Sequence, residues 1–272
     1  MILSGLKMFT AVKRVDVLKI SIITVSYNSE KTIRDTIESV LAQTYLNIEY
    51  IVIDGGSKDN TMGIVGEYAA SIATIVSEPD RGIYDAMNKG IALATGDVIG
   101  ILNSDDFYES PTSLESVAAA FRLNPESALV FGDVVFVNPE DLQRVTRVYS
   151  ASHFRSWKLR FGWMPPHPGT FVRKEAYADV GAYSMLYAIS ADYEMFVRLL
   201  LIKKLRFSHI DKVLVRMRSG GVSTSGIKSS LKLNREIVLA CKRNGIYTNL
   251  LMVLSKIPFK LLEYLKRSGT KN

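Results

Sequence analysis

Two adjacent carboxylates, Asp105 and Asp106, follow the stretch Val98–Leu102 after two residues, and the apolar character of that stretch is typical of a buried strand. The end of a strand is a rigid support, and two neighbouring negative charges repel each other unless a cation or hydrogen-bond donors compensate. Hard divalent cations prefer such oxygen ligands and keep coordination positions open for substrate phosphates. The pair therefore predicts a Mg²⁺ or Mn²⁺ site. The alternative is a solvated turn in which Asp106 caps a helix.

Two further polar clusters follow apolar stretches. Asp54 ends the stretch 50–54 and is followed by two glycines and Ser57. A carboxylate at this position can accept a hydrogen bond from a ribose or from a uracil or guanine ring N–H, and glycines let the backbone approach a ligand. The third cluster, Thr24–Asn28, contains Tyr27, which can stack on a nucleobase. Each cluster alone is equally compatible with an ordinary turn.

Alternating strands and helices are predicted to position these clusters. Strands are expected at 20–25, 50–54, 73–77 and 97–102, with helices at 32–43, 61–71 and 83–94 between them. This alternation implies an α/β fold with a mostly parallel, doubly wound sheet. Ligands bind beyond the carboxyl ends of the strands in such sheets, and the polar clusters fall at those ends. We therefore expect the clusters to meet in one site.

The pattern is less regular after Asp106. Helices are expected at 112–123, 193–202, 228–243 and 250–267, and strands at 129–137 and 144–149. A proline-rich loop is expected at 163–169 and a polar loop at 220–226.

Composition and charge narrow the possible partners. The 272 residues are 47% hydrophobic and 22% charged, which excludes wholesale disorder. The net charge of +7 suggests an anionic partner, and it is unevenly distributed: residues 203–272 carry 16 Lys and Arg against 3 Asp and Glu, whereas residues 1–202 carry 18 against 24. The basic charge thus lies outside the part that bears the motifs. No nucleic-acid-binding motif is present, so a nucleic-acid partner is not expected.

The single cysteine, Cys241, excludes a disulfide framework or a zinc cluster and is predicted to be a buried thiol. No run of 18 apolar residues occurs, and the first 19 residues lack the features of a signal peptide. These observations predict a protein of the cytoplasm.

Four segments resemble family 2 glycosyltransferases, which have the GT-A fold. The segments are Ile22–Asn28, Thr36–Gln43, Val52–Ser57 with Asp59, and Asn103–Asp106. A fifth segment, Glu78–Gly90, resembles more narrowly the bacterial members that assemble surface polysaccharides. The resemblance extends from about Lys19 to Ser219 and is densest up to Asp106.

The resemblance implies an inverting transfer of a sugar from a nucleotide-diphosphate sugar. A UDP-sugar is the expected donor, because it is the commonest one. The resemblance also implies a nucleoside pocket formed by Thr24, Ser26, Tyr27, Asn28, Asp54, Gly55 and Ser57. Asn103, Ser104, Asp105 and Asp106 occupy the place of the family's DXD motif, although the first position is not Asp here. Asp106 is accordingly expected to be the first metal ligand and Asp105 the second. Arg81 and Lys89 are candidates for phosphate or sugar contacts, or surface charges.

Inverting transfer also needs a general base that takes the proton of the acceptor hydroxyl. Asp192 is the candidate, because Ser190–Leu199 resembles the family's Glu-Asp motif with Ala191 in place of the first acid. The alternative role for Asp192 is an N-cap of the following helix. His167 and Glu194 are expected to contact the acceptor or a phosphate, and Glu194 can instead pair with Arg198 at i+4.

The resemblance divides the chain into an N-terminal extension over 1–18, a catalytic domain over 19–219 and a basic helical extension over 220–272. Residues 19–106 would form the nucleotide-binding half of the domain and residues 107–219 its acceptor-binding half. The acceptor would be a glycan or a polyprenyl-pyrophosphate-linked sugar. The stretch Leu250–Arg267 is basic and amphipathic, so it predicts a peripheral contact with the anionic inner face of the membrane or, alternatively, packing on the domain.

Two other classes of protein remain as alternatives. A sugar-phosphate nucleotidyltransferase would carry a glycine-rich phosphate loop after the first strand, and Ser26–Glu30 contains no glycine. A non-catalytic nucleotide- or polyanion-binding module would not be expected to retain Asp54, Asp106 and Asp192 together.

Overall fold

The computed structural model describes residues 17–220 and 226–258, and its first half alternates strands and helices as predicted. The elements are β1 (Ile20–Ser26), α1 (Ile33–Leu41), β2 (Ile48–Asp54), α2 (Thr61–Glu67), β3 (Thr74–Ser77), α3 (Ile83–Leu93) and β4 (Val98–Asn103). The four strands are parallel and lie in the order β3-β2-β1-β4. Because parallel strands end at the same edge of a sheet, the loops after β1, β2 and β4 lie side by side.

The second half continues the same sheet with mixed pairing. Its elements are β5 (Asp106–Tyr108), α4 (Ser113–Leu123), β6 (Leu129–Asn138), β7 (Asp141–Tyr149), β8 (Thr170–Arg173), α5 (Lys174–Val180), α6 (Ala191–Val197), β9 (Phe207–Arg218), α7 (Gly226–Arg243) and α8 (Leu250–Leu254). The strand order continues from β4 as β8-β6-β9-β5, with β7 paired to β6. β8 is antiparallel to both β4 and β6, whereas β6 and β9 are parallel. The predicted α/β sheet is confirmed, and its parallel character is strongest in the first half.

Three elements of the second half were not predicted, namely β5, α5 and β9. β9 has Asp211 and Lys212 in its middle, so it lacks an apolar run, and it is held by pairing with β6 on one side and β5 on the other. The helix predicted at 193–202 instead begins at Ala191 and ends in a π-helical turn, Arg198–Ile202. The polar loop predicted at 220–226 falls mainly outside the described residues, as do residues 259–267 of the last predicted helix.

The core lies on both faces of the sheet. β1 is buried along its whole length, with Ile20 and Ile22 packed on one hydrophobic cluster and Ile23 and Val25 on the other. Fully burying one such side chain contributes about 1.5–3 kcal/mol. α3 approaches β1 so closely that a Cβ atom on Gly90 would lie 2.4 Å from Cγ2 of Ile23. A glycine is therefore needed at this crossing, which brings the first turn of α3 to the edge where β1 ends.

The described part of the C-terminal region packs into the same core. Ile237, Ala240 and Cys241 of α7 are buried in the hydrophobic cluster that contains α6, and Val253 of α8 joins them. Cys241 is a buried free thiol, as predicted. Within residues 17–220 and 226–258, no helix is long and apolar enough to cross a membrane.

Candidate active site

The carboxyl ends of the strands open onto a cleft of about 1120 Å³. Six of the predicted residues line it, so the clusters do meet at one edge of the sheet: Ser26, Tyr27, Asn28, Gly55, Ser104 and Asp105. The ring of Tyr27 is 62% exposed and therefore free to stack on a ligand. The predicted convergence of the polar clusters is confirmed for these residues.

Asp54 lies beneath the cleft and has no exposed surface. Its Oδ2 accepts hydrogen bonds from Gly56 N (3.0 Å), Ser57 N (2.9 Å) and Ser77 Oγ (2.7 Å), and its Oδ1 accepts from Ser26 Oγ (3.1 Å) and Ser57 Oγ (2.5 Å). Burial acts to raise the pKa of Asp54, but the bonds from Ser57, Ser77 and Ser26 outweigh it and hold that pKa below its ordinary value. In this structure the carboxylate organises the loop after β2, and both of its oxygens accept hydrogen bonds from that loop and from the neighbouring strands.

Thr24 is also outside the cleft, contrary to its expected place in the nucleoside pocket. It is fully buried, and its Oγ1 lies 3.1 Å from the hydroxyl of Tyr50. Thr24 and Ser26 lie on the same face of β1, but Ser26 is the last residue of the strand and reaches the edge of the sheet, whereas Thr24 lies two residues further inside. Thr24 is therefore a core residue of β1.

Asn28 joins the loops that follow β1 and β2. It has a left-handed backbone with φ of 50°, its N–H donates to Ser57 Oγ (2.8 Å), and its Oδ1 accepts from the N–H of Lys58 (2.8 Å). Asn tolerates this conformation better than most residues. The pair of bonds sets the width of the cleft between the two loops.

Gly55 is required by a close approach from the loop after β3. A Cβ atom on Gly55 would lie 2.4 Å from Oδ2 of Asp80. The other carboxylate oxygen of Asp80 accepts from Gly82 N at 2.8 Å, so this side chain has little freedom to retreat. Asp80 lines the cleft, although the sequence analysis did not select it as a site residue.

Asp105 and Asp106 are adjacent in sequence but differ in access. Asp105 is half-buried and lines the cleft, whereas Asp106 is 1% exposed, begins β5 and accepts from Asn103 Nδ2 at 3.1 Å. Burial raises the pKa of Asp105, and burial together with the neighbouring negative charge of Asp105 raises the pKa of Asp106 well above its ordinary value. Of the two expected metal ligands, Asp105 thus faces the cleft and Asp106 lies behind it.

Arg218, at the end of β9, holds the turn that carries these carboxylates. Its Nη1 donates to the backbone oxygen of Asp105 (2.6 Å), its Nη2 bonds to Oδ2 of Asp35, and its guanidinium lies 5.1 Å from the ring centre of Phe107. Ser104 adds a bond between its hydroxyl and that of Ser29 (2.7 Å). The turn is thus fixed from α1, from β9 and from the loop after β1.

Arg81 and Lys89 are both engaged with carboxylates. Arg81 is largely exposed and pairs with Asp85 at 3.0 Å, and Lys89 pairs with Glu78 at 2.8 Å and donates to Pro79 O at 3.2 Å. Neither lines the cleft. Lys89 thus holds the loop 78–80 through its bonds to Glu78 and Pro79. Arg81 fits the alternative that was predicted for it, a charge on the protein surface.

Asp192 lies in the first turn of α6, beside a small cavity of about 10 Å³ that His167, Tyr177 and Tyr183 also line. Its Oδ1 accepts from Tyr193 N at 2.7 Å and lies 3.3 Å from the hydroxyl of Tyr84. Burial raises the pKa of Asp192, while the nearby His167 acts in the opposite direction. The structure therefore surrounds Asp192 with a shielded environment that favours its protonated form more than water does.

His167 faces the same cavity. Its Nε2 lies 2.8 Å from the hydroxyl of Tyr183, and Tyr183 Oη is 3.3 Å from Tyr177 Oη. Burial lowers the pKa of His167, against the attraction of Asp192. His167 and Asp192 are thus brought together, although 25 residues separate them in the chain.

Glu194 is not in the cleft. It is buried between α6 and α7, where it pairs with Arg198 at 2.9 Å and accepts from Asn244 Nδ2 at 3.0 Å. Arg198 in turn donates to the backbone oxygens of Val180, Gly181 (3.2 Å) and Ala182 (2.8 Å). The i+4 pairing predicted as the alternative is confirmed, and the expected contact with acceptor or phosphate has no support in this geometry.

Two residues that were not predicted as site residues, Tyr84 and Glu236, contact Asp192 or the loop before it. Tyr84 belongs to Glu78–Gly90, whose family resemblance was the available sign. Glu236 lies on α7, and nothing in its local sequence distinguishes it from a solvent-exposed helix residue. Both reach the site through contacts between distant segments.

Among the described residues, no three His, Cys, Asp or Glu side chains are grouped so as to hold a metal ion by themselves. The donor set at the Asn103–Asp106 turn nevertheless fits a divalent cation that takes its other ligands from phosphates and water. Two shielded carboxylates lie together there. Oδ1 of Asn103 is also buried, and it has no hydrogen-bond partner among the residues that the structure describes.

Comparisons with known proteins agree with this architecture. A PGL/p-HBAD biosynthesis glycosyltransferase of Mycobacterium bovis is 31% identical over 181 residues, 65% of this chain and 68% of that protein. Staphylococcus aureus TarS (residues 1–349, in complex with UDP-GlcNAc) superposes with a TM-score of 0.64 at 20% identity over 82% of this chain and 66% of that one. The mannosyltransferase PcManGT from Pyrobaculum calidifontis, in complex with GDP-Man and Mn²⁺, superposes with a TM-score of 0.62 at 16% identity over 94% and 76%.

These structural likenesses establish the GT-A fold. The model of the family described as "Glycosyl transferase family 2" matches residues 21–181, which is more than half of the chain. The chain belongs to glycosyl transferase family 2, and it is a transferase.

Proposed function

We propose that this protein transfers a sugar, with inversion, from a nucleotide-diphosphate sugar to a hydroxyl of a glycan or lipid-linked acceptor in surface-polysaccharide synthesis. One observation carries the proposal: the first turn of α3 joins the cleft to Asp192. Gly82 and Ile83 line the cleft, while the hydroxyl of the next residue, Tyr84, lies 3.3 Å from Asp192 Oδ1. A donor in the cleft and a base for the acceptor would thus be neighbours.

The donor nucleotide is assigned to the cleft between the loops after β1 and β2. Tyr27 stacks on the base, and Asn28, Gly55 and Ser57 shape the pocket, with Ser26 and Asp54 fixing the loops from below. TarS and PcManGT were solved with UDP-GlcNAc and GDP-Man, which supports a nucleotide-sugar as the donor class. We propose a UDP-sugar for this chain.

A Mg²⁺ or Mn²⁺ ion is assigned to the turn Asn103–Asp106, with Asp105 as the ligand that faces the cleft and Asp106 behind it. The presence of Mn²⁺ in the mannosyltransferase supports a divalent cation. When bound, such an ion neutralises the charge that develops on the leaving diphosphate. Arg218 holds Asp105 in place through its backbone oxygen.

Asp192 is assigned as the general base. A carboxylate whose pKa is raised by burial is a stronger proton acceptor than one in water, and it takes the proton of the acceptor hydroxyl as the oxygen attacks the anomeric carbon. His167 and Tyr84, which flank Asp192, are assigned to orienting the carboxylate and the acceptor.

A panel of nucleotide-sugars, with and without Mn²⁺ or Mg²⁺ and with release of nucleoside diphosphate as readout, tests the proposal. Metal-dependent release with one donor is expected, and Asp105→Ala should lower it more than Asp106→Ala because Asp105 faces the cleft. Asp179→Ala, at a carboxylate outside the site, is the control. Pyrophosphate exchange would instead indicate a nucleotidyltransferase, and neither activity would indicate a binding module.

We also propose that the C-terminal region contacts an anionic lipid surface at the cytoplasmic face of the membrane. Val253 is buried, and Nζ of Lys256 donates to Gly162 O at 3.0 Å, so one side of this segment packs on the domain. Leu250, Leu251 and Ile257 are 42%, 80% and 43% exposed. Residues 259–272 add Lys260, Lys266, Arg267 and Lys271. Basic charge next to exposed leucines favours a lipid interface.

Flotation with liposomes tests this contact. The full chain should float with vesicles that contain an anionic lipid and not with zwitterionic ones, and Leu251→Glu combined with removal of 259–272 should reduce flotation. Leu46→Glu, at a residue that is 93% exposed in the first half, is the matched control. Equal flotation of the variant and the full chain would contradict the proposal.

A further inference from the structure

Glu236 of α7 binds three consecutive residues that lead into α6. Its Oε2 accepts from Ile189 N (3.0 Å), Ser190 N (3.1 Å) and Ser190 Oγ (3.0 Å), and its Oε1 accepts from Ala188 N (3.2 Å). Four donors on a single carboxylate fix the position and direction of this loop. Charge-assisted bonds of this kind are the stronger class of hydrogen bond.

The loop is held from its other side by Tyr84. The hydroxyl of Tyr84 donates to Ile189 O at 2.6 Å and also lies 3.3 Å from Asp192 Oδ1. Ser190 O accepts the first hydrogen bond of α6, from Glu194 N at 3.0 Å. The place where α6 begins, and with it the place of Asp192, therefore depends on Glu236 and Tyr84 together.

α7 is a firm support for this contact. Beyond Glu236, the Sγ of Cys241 lies 3.3 Å from the hydroxyl of Tyr193, and Asn244 donates to Glu194. α7 thus holds α6 and the loop before it at three successive points. This helix lies outside the matched family region, which ends at residue 181.

We propose that Glu236 is a positioning residue for Asp192, which it holds at the acceptor side of the cleft through the backbone of residues 188–190. The proposal rests on the proposed function, since it presumes that Asp192 acts as the base. The helix α7 of the C-terminal region would thus help to position the catalytic carboxylate. A misplacement of about 1 Å at a reacting group lowers a rate by roughly a hundredfold, so the effect should be measurable.

The groups that face the Asp192 carboxyl are His167 from the turn before β8, Tyr84 from α3 and Tyr183 from the loop after α5. The carboxylate of Glu236 contacts residues 188–190 instead. A Glu236 variant therefore leaves the surroundings of the Asp192 carboxyl unchanged in composition and acts on Asp192 through the position of the backbone.

The test compares Glu236→Gln, Glu236→Asp and the control Arg235→Gln, which alters the exposed neighbouring residue of the same helix. For each full-length protein, kcat and the pH profile of kcat/KM are measured with the donor found active in the panel, and the Kd of the nucleoside diphosphate is measured alone. Glu236→Gln should lower kcat by about tenfold or more while the Kd and the pH profile stay unchanged, because the groups that face the Asp192 carboxyl are the same. Glu236→Asp keeps the charge but shortens the side chain, so it should also lower kcat.

A purely structural role would reduce the amount of folded protein without changing kcat per folded molecule, and that result would overturn the proposal. An unchanged kcat in Glu236→Gln would overturn it as well. If Glu236→Gln does not fold, Glu236→Asp decides through kcat at constant nucleotide Kd. Failure of the proposed function is distinguishable, because the wild-type protein would then show no turnover with any donor.

Discussion

Asp54 in the first half of the sheet and Asp192 in the second are both shielded carboxylates, yet their surroundings shift their pKa values in opposite directions. Asp54 accepts five hydrogen bonds from its own loop and neighbouring strands, which lowers its pKa despite burial. Asp192 has fewer donors, and burial prevails and raises its pKa. The difference shows how hydrogen-bond donors favour the ionised form of one carboxylate and burial favours the protonated form of the other, and the latter is what the proposed role of Asp192 as a base requires.

The largest expected effect is the loss of catalytic rate in the variant Asp192→Asn. If Asp192 is the base, kcat should fall by about 10²–10⁴, the usual contribution of general acid–base catalysis, while nucleotide affinity stays unchanged. Steady-state transfer assays together with calorimetric nucleotide binding measure both. Asp179→Asn serves as the control, and wild-type kcat in Asp192→Asn would remove Asp192 from the role.

The next largest effect is expected on the free energy of unfolding, which Glu194→Gln should lower. Glu194 and Arg198 are 7% and 17% exposed, and removing one partner of a buried ion pair costs about 3–5 kcal/mol. Unfolding in urea should therefore show a loss of about 3 kcal/mol, with nucleotide Kd unchanged. Glu175→Gln, on a different helix, is the control. A changed Kd with unchanged stability would return Glu194 to a binding role.

The opposite pKa shifts predict opposite pH dependences of stability. The lowered pKa of Asp54 contributes stability that is present above the ordinary value of 3.8 and is lost as pH falls through the folded pKa. The raised pKa of Asp192 means that the folded state binds the extra proton, so stability falls as pH rises from 3.8 through the folded pKa. At pH 7, Asp54→Asn should be less stable than the wild type and Asp192→Asn more stable, and both differences should shrink on acidification. Urea unfolding across pH 3–8 measures this, and parallel curves for all three proteins would contradict it.

The smallest effect is expected from Thr24→Val. The hydroxyl of Thr24 contacts Tyr50 inside the sheet, so its loss should cost about 1 kcal/mol of unfolding free energy and leave nucleotide KM unchanged. Ser26→Ala, at the cleft, is the contrasting variant and should weaken nucleotide binding because it loosens Asp54. A raised KM in Thr24→Val alone would place Thr24 back in the pocket.

The first half was predictable because its information is local. Each strand there is a short apolar run, each polar cluster follows directly, and parallel pairing of the strands brings the clusters together without further information. The loops after β1, β2 and β4 were expected to form one site, and they line one cleft. Thr24 lies outside this cleft because it is two residues inside the end of β1, and a motif of consecutive residues does not state where the strand ends.

The second half was less predictable because its structure depends on contacts between segments that are far apart in the chain. β9 carries charges in its interior, and its pairing with β6 and β5 compensates for its weak pattern. The surroundings of Asp192 come from α3, the turn before β8, the loop after α5 and α7. Nothing in Ser190–Leu199 alone indicates these partners.

The sequence by itself determined the α/β architecture, the family and the edge of the sheet where ligands meet, because hydrophobic periodicity and consecutive motifs encode them. The tertiary structure decided which of Asp105 and Asp106 faces the cleft, that Glu194 belongs to a buried ion pair, and that α7 supports the loop before Asp192. Burial, hydrogen-bond saturation and pKa are properties of the groups that surround a residue. Those groups come from segments far apart in the chain, so they exist only once the chain has folded.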